Sequence, residues 1–115
     1  MTSRDPRFSV TINVDFSTKD MFLASRVTNL SRGGLFIESR QPLPIQSEID
    51  LTFTLPEFQI TISAKGRVAW NFDMKKGTQR LITGSGIRFT DIAPEHRMIL
   101  EAYLEKLSRS VAVAN

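Results

Sequence analysis

The 115-residue sequence contains no cysteine and one histidine, His96. The first absence removes disulfides, thiolate nucleophiles and cysteine-ligated metals. The second leaves no imidazole cluster for a metal ion and no frame for a Ser-His-Asp relay. Carboxylates are present, but none are paired in a recognisable frame, and Asp50 and Asp91 stand isolated. The expectation is a protein that is not an enzyme and holds no metal or cofactor. No apolar run approaches the ~20 residues of a membrane helix. The start, Met1-Thr2-Ser3-Arg4-Asp5-Pro6-Arg7, has no apolar segment of the secretory kind. A cytoplasmic protein without membrane insertion is expected. Charge of one sign is also scarce: 15 Lys+Arg against 12 Asp+Glu give +3. So small an excess says little about partners, and the placement of the arginines matters more.

What is present is strand periodicity in a chain long enough for one domain. Phe8, Val10, Ile12, Val14 and Phe16 alternate with polar residues, as in a half-buried strand. Ile49, Leu51, Phe53 and Leu55 repeat the pattern. The longest run takes Phe58, Ile60, Ile62, Ala64, Gly66, Val68, Trp70 and Phe72, with Gly66 marking a bend or bulge. Shorter strands are expected over residues 21–28, Gly34–Glu38 and 84–89. Residues 17–20 and 55–57 read as hairpin turns, and Pro42 and Pro44 mark a loop. Residues 73–80, with Lys75, Lys76, Gly77 and Arg80, read as a polar, basic loop. From Pro94 the period changes. Ile99, Leu100, Tyr103, Leu104 and Leu107 form one apolar stripe, with Pro94 suited to the first helical position and Glu95 to the positive end of the dipole. Trp70 and Tyr103 are read as packing residues and His96 as solvent-facing. The fold expected is all-β with one C-terminal helix: a six-stranded antiparallel β-barrel, closed or nearly so, whose helix covers one side or mouth. Residues 1–7 form a flexible arginine-bearing segment, 8–109 the barrel and helix, and 110–115 a frayed tail.

Two features exceed what such a barrel needs. Asn29-Leu30-Ser31-Arg32-Gly33-Gly34 lies between two strands. Asn29 and Ser31 point the same way in an extended segment and offer the donors and acceptors that suit a nucleobase edge. Gly33 and Gly34 permit close approach of a ligand, or positive φ. The same residues also make a good turn. Arg4 and Arg7, before the first strand, suit phosphate or a base face, or are simply a solvated terminus.

Together the two features resemble the PilZ domain family, which is marked by R-x-x-x-R before the first strand and [D/N]-x-S-x-x-G after the second. Asn29, Ser31 and Gly34 match the second motif in full. The resemblance extends through Gly33–Ile37, Leu43-Pro44-Ile45, Gly66–Trp70 and Gly86–Phe89, and covers about residues 4–107. It implies a split-barrel fold and a non-catalytic receptor for cyclic di-GMP. Asn29 and Ser31 would contact guanine, Gly34 would leave room for it, and Arg7 would hold phosphate or stack. Ser3 departs from the arginine motif. Arg4 replaces it one residue on, or the clamp is incomplete. Arg32 is either a further cation or a solvated one. A monomer or weak homodimer is expected, and the resemblance implies a site that takes one ligand or an intercalated pair. Ligand would order the N-terminal segment and signal through an unidentified protein partner, a motility, secretion or signalling component. The alternative is a degenerate PilZ module that binds protein constitutively. A third class, a nucleic-acid-binding barrel, would show salt-dependent binding to single strands, and the aromatics it needs beside the basic residues are not evident.

Overall fold

The computed structural model describes residues 6–19, 22–40 and 43–114. Six strands follow in order: β1 (Phe8–Ser17), β2 (Phe22–Leu30), β3 (Gly34–Glu38), β4 (Glu48–Leu55), β5 (Ile60–Lys76) and β6 (Gln79–Ile92). One helix, α1 (Pro94–Ala114), ends the chain. All strand pairs are antiparallel, and the ring β1-β2-β3-β6-β5-β4 closes through the β1–β4 ladder. Closure leaves the barrel itself without an exposed edge.

The alternating residues fill the interior. Ile12, Val14, Phe16, Ile49, Leu51, Phe53, Leu55, Ile62 and Val68 are all buried. Helix α1 starts one residue after β6 and lies across the end of the barrel where β4 passes into β5. Leu100, Tyr103 and Leu104 join the barrel core there, and the Tyr103 ring meets Phe58 edge-on at 5.4 Å. Lys106 pairs with Glu57 on the β4–β5 turn. His96 departs from the solvent-facing expectation: it is partly buried, and its Nδ1 accepts the Ser63 N–H at 3.1 Å, because α1 docks over the start of β5.

Local shifts of register change which face a residue uses. The β1–β2 register shifts between Ser9 and Ile12, and the β2–β3 register between Val27 and Asn29. Val27 and Leu30 are therefore both core residues although three apart, and Asn29 stands opposite Phe36 on the outer face. The β5–β6 register shifts between Lys65 and Gly66, with Thr90 of β6 and not a β5 residue as the extra one, and again between Val68 and Trp70. The second shift overturns the core assignment of Trp70. Val68 is fully buried, Ala69 is the extra residue, and Trp70 emerges on the outer face, 38% exposed.

Other boundaries differ too. Phe58 belongs to the β4–β5 turn, where Glu57 and Gln59 take positive φ, so β5 begins at Ile60. Residues 73–80 are not a loop. They extend β5 and β6 as a two-stranded ribbon turning at Gly77, with Asp73 opposite Thr83 and Met74 opposite Ile82. Thr83 donates to Asp73 at 2.9 Å and Ser85 to Asn71 at 2.7 Å, so polar residues sit on one ribbon face. The other face carries Trp70, Phe72, Met74 and Ile82. Helix α1 continues through residues 110–114, which hold neither Pro nor Gly to end it.

Candidate ligand-binding site

A cavity of about 310 Å³ opens beside the β2–β3 turn and brings together residues far apart in sequence. Arg7 lines it from the entry to β1, and Ser31, Gly33 and Gly34 line it from the turn. Trp70 of β5 and Gly86 and Arg88 of β6 complete it. Among the described residues no carboxylate lines this cavity. Its charged groups are two guanidiniums, and neither Arg7 nor Arg88 has a hydrogen-bond or ion-pair partner among the described residues.

The turn is built by its own polar atoms. The Ser31 N–H donates to the Gly34 carbonyl at 2.9 Å, the Ser31 hydroxyl donates to the same oxygen at 3.2 Å, and the Gly33 N–H donates back to the Ser31 Oγ at 3.3 Å. The β6 strand joins in through the Phe89 N–H, which donates to the Gly33 carbonyl at 2.9 Å. Ser31 thus shapes the turn and lines the cavity. Gly34 is required for contact with protein: a Cβ there would lie 2.0 Å from the Ile87 carbonyl oxygen. Its φ is not positive; among the described glycines only Gly77 is so placed.

Asn29 does not line the cavity, yet it stands on the same outer face. Ladder partners place Asn29, Phe36, Gly86 and Trp70 in one row across β2, β3, β6 and β5. The Asn29 Oδ1 is buried and has no hydrogen-bond partner among the described residues. An orphaned buried amide oxygen is costly unless something else supplies a donor. Phe36 and Trp70 stack over the side-chain-free Gly86, with ring centroids 5.4 Å apart. A Cβ on Gly86 would come within 2.1 Å of the Trp70 ring.

Arg32 faces elsewhere. Its Nε is 2.6 Å from Glu101 Oε2, and its carbonyl accepts from the Arg97 guanidinium at 2.6 Å. The motif turn is thereby tied to α1. Arg4 and Ser3 lie outside the described residues. Trp70 and Arg88, with Leu35, Ala69, Gly86 and Ile87, line the cavity without having been assigned to it from sequence. The bulge hid Trp70. Arg88 carried one usable signal: it is polar between Ile87 and Phe89, so it faces outward two residues from Gly86.

The PilZ domain family model matches residues 2–106. No curated relative matches the chain. Among solved structures, the PilZ domain of YcgR from Escherichia coli, determined with c-di-GMP, superposes with a TM-score of 0.75 at 16% identity, covering 96% of this chain and 95% of that one. The Bacillus subtilis inhibitor of motility MotI/DgrA gives 0.76 at 17% identity, covering 95% of this chain and 52% of that one. K. pneumonia MrkH in its apo state gives 0.83 at 14%, covering 99% and 55%. The chain therefore spans about half the length of MotI and MrkH, and identities this low speak to a shared fold. The structural likeness and the family match over nearly every residue agree with the closed barrel and its Asn29–Gly34 turn: the chain belongs to the PilZ domain family.

Proposed function

We propose that this PilZ domain is a non-catalytic receptor for cyclic di-GMP. The observation that carries the reading is one cavity in which the Arg7 guanidinium meets the Ser31–Gly34 turn, with no ion-pair partner and no lining carboxylate among the described residues to compete for it. Guanidinium forks match phosphate oxygens, and Arg and Trp both offer planar faces to a guanine. The orphaned Asn29 Oδ1, on the same outer face, is an acceptor suited to a guanine N–H donor. The YcgR PilZ domain of the same fold was solved with this ligand.

Ligand bridging Arg7 to the turn would fasten the entry of β1 onto the barrel. Trp70 is both the wall of the cavity and the first residue of the apolar ribbon face, so occupancy would alter a surface suited to a protein partner. The exposed ribbon residues Phe72, Met74 and Ile82 also support the second reading, a constitutive interaction module. Calorimetry with cyclic di-GMP separates the two. The wild type is expected to bind, and Arg7→Ala and Ser31→Ala to weaken binding. For Arg7, loss of a charge-assisted contact of about 1.5–3 kcal/mol corresponds to roughly 10- to 150-fold. Absence of binding by the wild type at high micromolar ligand would sink the receptor reading and leave the interaction module.

A further inference from the structure

Along β6, Ile87 and Phe89 enter the core, so Gly86 and Arg88 face outward. The ladders place Gly34 on one flank of Arg88 and Arg67 on the other. Two arginines directly opposite on a sheet repel. Arg67 is compensated: its guanidinium is 3.6 Å from Glu48 Oε2 and donates to the Gln46 carbonyl at 3.1 Å. Arg88 has no such compensation. Among the described residues it makes no hydrogen bond or ion pair, and it lines the cavity shared by Arg7 and Ser31. Gly34 and Gly86, its neighbours on the outer face, have no side chains to cover it.

A guanidinium opposite a second one, with no counter-ion and no cavity carboxylate among the described residues, is arranged for an anion that arrives from solution. We propose that Arg88 is a phosphate-binding residue of the cyclic di-GMP site, the second guanidinium of a two-arginine clamp whose other member is Arg7. This rests on the reading of the cavity as that ligand's site. No described residue takes the donors of the Arg88 side chain, which suit a bidentate phosphate contact. The ladder fixes its Cα between two paired strands, so less ordering is needed on binding than for a residue in a chain segment. Arg88 supplies from the sheet the contact that Ser3 cannot supply in the N-terminal pattern.

The test is calorimetric titration of cyclic di-GMP into wild type, Arg88→Gln and Arg88→Lys at low and moderate salt, with thermal melting of each protein without ligand. The expected result is binding by the wild type and a loss of tenfold or more in Arg88→Gln. Arg88→Lys should recover part of it. Salt should weaken the wild type more than Arg88→Gln, since one charge contact is gone. The melting temperature of ligand-free Arg88→Gln should equal or exceed that of the wild type, because the opposition to Arg67 is relieved. Arg88→Gln binding within twofold of a wild type that binds overturns the role of Arg88 and leaves the receptor reading intact. A lowered melting temperature, with a loss of affinity that lysine does not relieve, makes Arg88 structural and also overturns the proposal. A wild type that does not bind overturns the receptor reading itself.

Discussion

Gly34 carries two requirements at one position. As the last residue of the Asn29–Gly34 motif it lines the cavity, and as the first residue of β3 it lies against β6. The second demand is the stricter. A Cβ would sit 2.0 Å from a backbone oxygen of Ile87, which a side-chain rotation cannot relieve. Gly34→Ala should therefore destabilise the ligand-free protein by about 1–3 kcal/mol, the usual range for overpacking. Thermal melting should read this as a fall of roughly 5–15 °C, and an unchanged melting temperature would show that β3 can move away from β6 at no cost. The motif was legible in the sequence as residue types. The reason for its glycine was not, because the constraining oxygen lies more than fifty residues further along the chain.

Among the elements, α1 holds the other informative residue. Its stripe was readable from the 3.6-residue period, and Leu100, Tyr103 and Leu104 do enter the barrel core. Burial raises the Tyr103 pKa above 10.0, nearby Glu57 adds to the rise, and Lys106 opposes it. The folded state therefore keeps its proton to higher pH than the unfolded chain. Between those two pKa values the native state binds more protons, so stability falls as pH climbs through 10. Tyr103→Phe removes this contribution. Its melting temperature should decline less steeply above pH 10 than that of the wild type, and parallel curves would mean that Tyr103 does not govern the alkaline limb. Alternation likewise predicted β1, β4 and the first half of β5. It failed at Trp70 because a one-residue bulge reverses inside and outside, and a period of two holds no record of a shift made by ladder partners. It failed again over residues 73–80, where polar side chains suit an exposed two-stranded ribbon as well as a loop.

At the scale of the whole molecule, the barrel is closed at one end by α1 and extended beyond the other by the β5–β6 ribbon. The cavity lies on the outer face between these structures. A net charge of +3 was uninformative because most of it is dispersed in pairs: Arg26 with Glu38, Arg32 with Glu101, Arg67 with Glu48, Lys106 with Glu57. Arg7 and Arg88 have no such partner among the described residues, and both line one cavity. Closure in three dimensions, not spacing along the chain, makes them neighbours. One consequence is optical. Trp70 is the sole tryptophan, so indole emission from this protein reports on the cavity wall and on nothing else. A guanine stacking near that ring should quench the emission and shift its colour, and Ser31→Ala should require more cyclic di-GMP to do so. A bare titration of the unlabelled protein would thus reveal occupancy; emission that stays constant while calorimetry records binding would place the ligand away from Trp70.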